Sequence, residues 1–443
     1  MQTNFTPAQL ENPVIAESEQ ILRKCVHCGF CTATCPTFVT LGDELDSPRG
    51  RIYLIKDMLE NDKPATEKVV KHLDRCLSCL SCTTTCPSGV DYMHLIDNAR
   101  AHIEENYERP LGDRLLRKLL SIVVPNPTLF RLSLIGARFA APFARLMPGR
   151  LKGMVKMGAR PMPPPSWVDK PQVIPAVGER KGRVAILTGC AQQVLETEIN
   201  ESTVRLLTRL GIEVVVAKGA GCCGSLVHHM GKEEQSHHQA KGNIDAWSAE
   251  LAGEGLDAIV ITASGCGTTV KDYGHMLRHD PAYADKAATV SSLAKDITEY
   301  LAGLDIDAAV FAGATHGSPR VAYHSACSMQ HGQKITRPPR DLLKKAGFDV
   351  VEIAEGHLCC GSAGVYNLLQ PEIASQLQER KRGNIRATQP DLVATGNIGC
   401  MVQIETDDLK VLHTVQLLDW AAGGPVPEKL SPPMDANFAG QAG

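Results

Sequence analysis

The stretch KCVHCGFCTATCP, residues 24–36, places four cysteines within eleven residues. A second stretch, RCLSCLSCTTTCP at residues 75–87, repeats the spacing CxxCxxCxxxCP, and each cysteine lies 51 residues after its counterpart. The cysteines are Cys25, Cys28, Cys31 and Cys35 in the first stretch and Cys76, Cys79, Cys82 and Cys86 in the second. Three cysteines separated by two residues each can wrap one small centre in a tight turn, so we expect these arrays to organise the N-terminal fold.

Composition narrows the class of protein before any further motif is interpreted. The chain has 443 residues and a formal net charge of −3. It is long enough for roughly two to four domains, and its charge does not indicate nucleic-acid binding. The first residues, MQTNFTPAQLENP, show no secretory signal, so we expect a cytoplasmic protein. In that compartment 16 cysteines favour metal or redox chemistry over disulfides.

The spacing CxxCxxCxxxCP is specific for iron–sulfur chemistry. It holds [4Fe–4S] clusters in bacterial-type ferredoxins, where the fourth cysteine, ahead of proline, ligates the other cluster. The predicted ligands are Cys25, Cys28, Cys31 and Cys86 for one cluster, and Cys76, Cys79, Cys82 and Cys35 for the other. Zinc is usually bound by two separated CxxC pairs, and disulfides do not suit a reducing compartment, so both alternatives are disfavoured.

A helix is predicted between the two arrays, over SPRGRIYLIKDMLEN at residues 47–61. Ser47 is its expected N-cap, and Pro48 opens its first turn. For Arg49 and Arg51 the favoured interpretation is a solvated helix start, and the alternative is electrostatic contact with a cluster or a partner. Residues 1–105 are thus expected to form a mostly helical, di-[4Fe–4S] ferredoxin-type domain.

Residues 106–180 are interpreted as a basic amphipathic connector that ends in a Pro-rich linker. Residues 111–160 contain ten Lys/Arg and one acid, Asp113, interleaved with apolar residues. Two interpretations are open: helices lying on a peripheral membrane surface, or a helical linker packed on a neighbouring subunit. The stretch RPMPPPSWVDKPQVIP at 160–175 predicts an extended spacer. No apolar run is long enough to predict a transmembrane helix.

The C-terminal region contains an internal repeat. In each half a single cysteine precedes a Cys-Cys-Gly sequence by 31 intervening residues. Strand-like runs such as RVAILTGC and RVAYHSAC alternate with helical runs, which predicts parallel sheets with cysteines at the carboxyl ends of the strands. The predicted boundaries are 181–305 and 306–425 for the two α/β repeats and 426–443 for a flexible tail. The cysteines are Cys190, Cys222, Cys223 and Cys266 in the first half and Cys327, Cys359, Cys360 and Cys400 in the second. The predicted fold class is therefore multidomain α+β.

The residues alone leave the occupant of the Cys-Cys-Gly repeats open. Vicinal thiols can both ligate only where the backbone turns sharply, which Gly224 and Gly361 permit. An Fe–S cluster, a zinc ion, a redox dithiol and a set of small buried side chains all remain open. His228, His229 and His324 flank the cysteine loops as candidate ligands or proton carriers. The chain has no P-loop and no GxGxxG fingerprint, so it shows no flavin or nicotinamide site of its own.

With these elements in hand, the chain resembles the iron–sulfur subunit of glycolate oxidase. The resemblance spans about residues 18–420 and is carried by CVHCGFCTATCPTF, DSPRGRIYLIKDMLE, HLDRCLSCLSCTTTCPSGVDY and TASGCGTTVKDYGH. It implies an electron-transfer role with two [4Fe–4S] clusters, beside FAD-containing subunits that oxidise glycolate to glyoxylate, with D-lactate as a second substrate. It also implies a membrane quinone as acceptor and a peripheral position on the inner membrane.

The number of cysteines at the end of each repeat differs from that in a related family. Heterodisulfide reductase-type repeats end in CxxC, whereas here the ends read SGCGTT and NIGCMV, with one cysteine each. This disfavours a non-cubane cluster, and with it a catalytic role in disulfide reduction. The rival functions are the equivalent subunit of a glycerol-3-phosphate or D-lactate dehydrogenase, a heterodisulfide reductase-like catalytic subunit, and a structural zinc protein.

Overall fold

The N-terminal part of the chain is helical, as predicted. A computed structural model describes residues 1–146, 153–155, 158–159, 161–304, 306–311 and 317–431. The first helices run over Pro7–Leu10, Pro13–Lys24, Phe30–Thr34, Pro36–Leu41, Pro48–Glu60, Glu67–Asp74, Ser81–Thr85 and Tyr92–Asn106. Their apolar faces enclose one core, in which Leu22, Ile55, Leu73 and Leu95 are fully buried. The two short helices, Phe30–Thr34 and Ser81–Thr85, lie against each other and carry cysteines of the two arrays.

The two cysteine arrays follow the same backbone path. His27 and its counterpart Ser78 have positive φ angles of 55° and 48°. Gly29 and its counterpart Leu80 have φ angles of 85° and 61°. Left-handed backbone costs a residue with a Cβ roughly 1–2 kcal/mol, so three of these four positions are strained. The repeat of the sequence is therefore also a repeat of the local conformation.

The helix between the arrays, Pro48–Glu60, forms where the sequence predicts it. The side chain of Ser47 accepts a hydrogen bond from the Gly50 N–H, and Pro48 occupies the first helical position. A Cβ on Gly50 would lie 2.0 Å from the carbonyl oxygen of Glu44. Only glycine therefore lets the helix start pack this closely on the turn Glu44–Asp46.

The connector forms two helices, each with a row of large apolar side chains turned outward. The helices are Leu111–Val123 and Pro127–Ala140, followed by a 3₁₀ turn at Ala141–Leu146. Large apolar side chains on this surface are exposed: Leu111, Leu115, Leu119, Ile122, Leu129, Leu132, Ile135, Phe139, Phe143 and Leu146. We call these ten residues the apolar ridge. The connector residues 147–152, 156–157 and 160 lie outside the described part of the chain.

The first α/β repeat contains a mixed sheet. Its strands are β1 (Gln172–Ile174), β2 (Gly182–Leu187), β3 (Ile212–Val216), β4 (Ala258–Ile261) and β5 (Ala294–Asp296), in the order β1-β3-β2-β4-β5. Strands β2 to β5 are parallel, as predicted, but β1 runs antiparallel to β3. The helices are Gln192–Leu195, Glu198–Arg209, Ser225–His228, Glu233–Ala252, Ser264–Lys271, Tyr273–Met276, Ala284–Leu293 and Ile297–Gly303. Strand β1 comes from the Pro-rich linker, which was expected to be only an extended spacer.

The second repeat has a fully parallel sheet with the corresponding strand order. Its strands are β6 (Arg320–His324), β7 (Asp349–Glu352), β8 (Leu392–Thr395) and β9 (Val411–His413), in the order β7-β6-β8-β9. The helices are Pro338–Lys345, Tyr366–Leu369, Pro371–Arg386, Ile398–Ile404 and Thr414–Ala421, with a π-helical turn at Ser328–Gly332. The predicted fold class, a helical ferredoxin-type domain followed by two α/β repeats, is confirmed, with one antiparallel strand added to the first sheet.

The two repeats share one hydrophobic core. Buried residues of both sheets, such as Val184 in β2 and Val393 in β8, belong to the same apolar cluster. Two helix pairs cross between the repeats. Helix Glu198–Arg209 of the first repeat packs on Thr414–Ala421, and helix Pro338–Lys345 of the second packs on Ile297–Gly303.

The first residues after the second repeat have regular structure and pack on the repeats. Residues 426–431, expected in the flexible tail, include a 3₁₀ turn at Glu428–Leu430. The Lys429 ammonium lies 2.8 Å from carboxylate oxygens of both Glu196 and Glu405. The rest of the predicted tail, residues 432–443, lies outside the described residues. Among the helices that the structure describes, none has the length and apolar character needed to cross a bilayer.

Replacing Gly50 by alanine should destabilise the protein by about 2–3 kcal/mol, because the new Cβ has to displace the backbone of Glu44. Gly112 also lies in the first turn of a helix, and a Cβ there would meet no atom within 4 Å. Gly112→Ala is therefore the matched control and should leave stability unchanged or slightly raised. Denaturant unfolding of the full chain measures both, and equal midpoints for the two variants would contradict the close approach.

Candidate iron–sulfur and metal sites

A cavity at the surface of the N-terminal domain gathers the first predicted ligand set. Its lining includes Cys25, Cys28, Cys31 and Cys86, together with Arg49, Ile52 and Tyr92. All 16 cysteines lie in the described residues, and among them Cys28 alone is exposed. Burial raises the pKa of the Cys31 thiol to about 11. The first site is thus a shallow one that reaches solvent through Cys28.

A second cavity gathers the other set deeper in the molecule. Its lining includes Cys35, Cys76, Cys79 and Cys82, with Arg51, Leu80 and Tyr92. All four of these thiols are buried. Cys82 also borders the first cavity, so the two sites are immediate neighbours. The first cavity thus contains the first predicted set together with Cys82, and the second contains Cys35, Cys76, Cys79 and Cys82.

Arg51 is a buried cation beside the second site. It is 1% exposed, and its Nη1 lies 3.8 Å from the Cys35 sulfur. Its Nε donates to the His72 carbonyl oxygen at 2.7 Å. Burial lowers the pKa of Arg51. The nearby groups of Cys76, Tyr92, Cys35 and Asp46 together raise this pKa by more than burial lowers it, so the side chain stays charged. The expected solvated helix start is therefore wrong for Arg51, because the helix start is buried under the turn Glu44–Asp46.

The Asp46 carboxylate interacts with three basic side chains next to the second site. Its fully buried carboxylate lies 2.9 Å from His72 Nδ1 and accepts a hydrogen bond from Arg75 Nη1 at 2.7 Å. Asp46 also lies 3.5 Å from Arg51 Nη2. Arg49, by contrast, is partly exposed and forms an ion pair with Glu44. The second site is thus beside a buried network of charged side chains, whereas the first site has one partly exposed arginine at its rim.

In the first Cys-Cys-Gly repeat the cysteines lie close to one another. The sulfurs of Cys190 and Cys222 are 3.7 Å apart. Hydrogen bonds to Cys222 and Cys266, followed by burial, raise the pKa of Cys223. Gly224, with a φ angle of 87°, makes the sharp turn after the vicinal pair. Cys223 is buried, but the other three cysteines are half-buried.

In the second repeat the corresponding thiols are more deeply buried. The sulfurs of Cys327 and Cys359 are 3.7 Å apart, and those of Cys360 and Cys400 are 3.5 Å apart. Cys359, Cys360 and Cys400 are buried, and Cys327 is half-buried. Gly361 makes the turn with a φ angle of 91°. His324 lies with Cys360 and Cys400, and their ligand atoms are all within 4.8 Å of one another.

The second ferredoxin site contacts the second repeat directly. Leu77, Cys79, Cys359, Tyr366 and Ile373 belong to one buried apolar cluster, and Cys327 packs against it. Burial and then the Cys327 thiol raise the pKa of Cys79 well above its usual range. The Tyr366 hydroxyl donates to the Arg75 carbonyl oxygen at 2.9 Å. The exposed first site, the buried second site and the second-repeat cysteines therefore form a continuous series.

A polar cleft separates the ferredoxin-type domain from the first repeat. Its volume is about 500 Å³, and its lining includes His94, Asp97, His228, Asp272 and His275. His228 and His229, proposed from the sequence as ligands beside the cysteine loops, instead face Asp97 at 3.3 and 3.4 Å. The rings of His94 and His275 stack with centroids 3.5 Å apart. Nothing in the repeat pattern marks Asp97 or Asp272, so no signal in the sequence could have predicted this contact.

Comparison with known proteins agrees with both parts of the molecule. The 4Fe-4S dicluster domain family matches residues 21–90, and the Cysteine-rich domain family matches residues 184–271 and 321–405. The chain thus contains a domain of the 4Fe-4S dicluster family followed by two Cys-rich repeats.

Full-length relatives narrow the family. The chain is 42% identical to the glycolate oxidase iron-sulfur subunit of Escherichia coli K12, over 95% of this chain and 99% of that protein. It is 32% identical to the probable glycolate oxidase iron-sulfur subunit of Bacillus subtilis 168, over 91% of this chain and 94% of that protein. It is 27% identical to a fumarate reductase (CoM/CoB) subunit of Methanothermobacter marburgensis, over 95% of this chain and 76% of that protein. The chain belongs to the family of glycolate oxidase iron–sulfur subunits.

Removing the charge of Arg51 should lower the midpoint potential of a cluster in the second site. A nearby positive charge favours the reduced state, so Arg51→Gln should shift that midpoint by on the order of 50 mV to more negative values. Arg51→Lys keeps the charge and is the matched control. Redox titration followed by EPR measures both midpoints, and equal shifts in the two variants would show that packing, not charge, is responsible.

His94 should make the stability of the domain contact depend on pH. Burial lowers the pKa of His94, but hydrogen bonds to Asp272 and Asp91 outweigh it and raise the pKa to about 10. A pKa raised on folding stabilises fully below the unfolded value of about 6.5, and the contribution is lost as pH rises through about 10.

The stability difference between wild type and His94→Gln should therefore be about 2 kcal/mol at pH 6 and vanish above pH 10. Denaturant unfolding at a series of pH values measures it. His279 is an exposed member of the same cleft, so His279→Gln is the control. A difference for His94→Gln that stays constant with pH would show that its ion pairs contribute nothing.

Proposed function

We propose that the chain is the electron-transfer subunit of a glycolate dehydrogenase complex. It takes electrons from FAD-containing subunits that oxidise glycolate to glyoxylate, with D-lactate as a second substrate, and passes them toward a membrane quinone. The observation that carries the proposal is the grouping of eight cysteines in two adjacent cavities. Similarity to two glycolate oxidase iron-sulfur subunits over nearly the full chain supports the choice of complex.

We assign one [4Fe–4S] cluster to each cavity, because each is lined by at least four cysteines at ferredoxin spacing. The ligands are Cys25, Cys28, Cys31 and Cys86 in the first site and Cys76, Cys79, Cys82 and Cys35 in the second. Bound there, the clusters supply one-electron oxidation and reduction, which divides the two-electron step of the flavin. Arg51 holds a positive charge beside the second site, and the strained turns at His27 and Ser78 shape the loops between ligands.

Electrons enter most readily at the first site. Cys28 is exposed and Cys31 and Cys86 are half-buried, whereas all four cysteines of the second set are buried. Val26, Phe30 and Tyr53 are exposed by 66%, 63% and 60%, which places apolar and aromatic side chains on the chain segments around this site. Exposed aromatic side chains of this kind are typical of protein interfaces. This surface fits the flavin-carrying partner.

The apolar ridge fits a membrane surface better than a second protein. Phe139 and Leu146 are exposed by 79% and 85%, and Lys118 and Arg138 lie exposed on the same helices. Apolar side chains bordered by Lys and Arg suit the boundary between acyl chains and anionic headgroups. The complex would thus lie peripherally on the cytoplasmic face of the inner membrane, with its thiol ligands in a reducing compartment.

The test uses the complete complex, purified without oxygen and mixed with vesicles of anionic phospholipid that contain a quinone. Glycolate should reduce the clusters, seen by EPR, and then the quinone, seen by absorbance. Glycerol 3-phosphate should do neither. Reduction of the clusters by glycerol 3-phosphate, or none by glycolate, would overturn the proposed complex.

Two variants separate the membrane contact from the redox function. Leu132→Glu combined with Phe139→Glu should leave cluster reduction by glycolate intact while vesicle binding and quinone reduction fall at least tenfold. Ser133 is exposed on the same helix outside the apolar ridge, so Ser133→Glu is the control. Loss of cluster reduction in the double variant would mean that the ridge binds a subunit and not the membrane.

A further inference from the structure

Tyr92 lies between the two cavities of the ferredoxin-type domain. It begins the helix Tyr92–Asn106, and its side chain is buried, with 4% of the residue exposed. Tyr92 lines both cavities, which also share Pro48 and Cys82. A residue in this position borders both sites, and the direction of its one polar group decides which of them it affects.

The hydroxyl of Tyr92 is directed to the second site. It donates a hydrogen bond to the Cys76 sulfur, with 3.8 Å between oxygen and sulfur. A buried tyrosine usually finds a partner for its hydroxyl, and here that partner is a predicted cluster ligand. Cys76 becomes a thiolate when it ligates a cluster, and hydrogen bonds to ionised acceptors are roughly twice as strong as neutral ones. The bond therefore strengthens as negative charge on the sulfur increases.

The first array lacks this hydroxyl. Corresponding residues of the two arrays are 51 positions apart, so Cys25 corresponds to Cys76 and Leu41 corresponds to Tyr92. A leucine side chain has no group that can donate a hydrogen bond. The two sites therefore share their cysteine spacing but differ in what surrounds the sulfurs.

A second side-chain donor acts on the same site. Arg51 Nη1 lies 3.8 Å from the Cys35 sulfur, so two of the four sulfurs of the second site have a side-chain donor. Reduction of a [4Fe–4S] cluster adds one negative charge, which these donors stabilise. Burial has the opposite effect, because it disfavours added charge. The buried charge of Arg51 offsets this, since charges interact several times more strongly inside a protein than in water.

We propose that the Tyr92 hydroxyl, together with the charge of Arg51, gives the second site a higher reduction potential than the first. In a half-reduced chain one electron then moves from the first site, which is oxidised, to the second site, which is reduced. The exposed first site is thereby free to accept the next electron. The inference rests on the proposed assignment of one [4Fe–4S] cluster to each cavity, and it does not depend on the substrate or acceptor of the complex.

The test is a redox titration of the full chain, purified without oxygen, with chemical mediators and EPR detection. Wild type should show two midpoints. Tyr92→Phe removes only the hydroxyl and should lower the higher midpoint by roughly tenfold in the equilibrium constant for reduction, equivalent to about 59 mV for one electron. The lower midpoint should not change. Arg51→Gln should lower the same midpoint as Tyr92→Phe, which assigns that midpoint to the second site.

Tyr53→Phe is the matched control. Tyr53 is 60% exposed, and its ring centroid lies 6.4 Å from that of His27, which lines the first cavity. This variant should leave both midpoints unchanged. A fall of the lower midpoint in Tyr92→Phe, or no change in either midpoint, would overturn the proposal. Equal falls of both midpoints would also overturn it, because they would show that packing and not the hydrogen bond is responsible.

A second measurement needs no variant of Tyr92. At half reduction of wild type, the EPR signal should be that of the site whose midpoint falls in Arg51→Gln. A signal from the other site would contradict the proposed order of potentials. The titration needs neither glycolate nor quinone, so a failure of the proposed complex would leave its outcome unaffected.

Discussion

Burying several thiols beside one another is the constraint on which the rest of this structure depends. Cys35, Cys76, Cys79 and Cys82 are all buried, and they become negatively charged when they ligate a metal centre. The positive charge of the buried Arg51 compensates this negative charge, and the carboxylate of Asp46 holds Arg51 in place. Gly50 allows the approach of helix and turn that brings these two residues together. Local conformation, packing and electrostatics therefore have a common cause.

The ferredoxin-type domain meets the two repeats in different ways. Against the second repeat it presents the apolar surface of Leu77 and Cys79, which excludes water from the deeper cysteines. Against the first repeat it presents histidines and carboxylates around an open cleft. The apolar contact brings the buried cysteines of the second ferredoxin site next to those of the second repeat. The polar contact fixes the orientation of the ferredoxin-type domain on the first repeat. This division matches the difference in burial between the two sets of Cys-Cys-Gly cysteines.

The sequence allowed prediction of those features that have a local or periodic signal. The cysteine spacing, the cap at Ser47 and the six longer strands were all predictable because neighbouring residues determine them. Strands β1, β5 and β9 were not, since each has only three residues and depends on the edge it joins. The burial of Arg51 was missed because it depends on Asp46 and His72, whose positions are fixed only by the tertiary fold. The hydrogen bond from Tyr92 to Cys76 is likewise a property of the folded core.

The reciprocal helix contacts between the repeats carry a consequence for the origin of the molecule. Helix Glu198–Arg209 meets the helix after β9, and its counterpart Pro338–Lys345 meets the helix after β5. A contact in which each half offers the same two surfaces to the other is the arrangement of a two-fold symmetric homodimer. The continuous core between the halves is thus organised like a subunit interface within one chain, as duplication of a dimer-forming domain would produce. Once joined, the halves were free to diverge, so that Leu187 in one now stands where the other has His324.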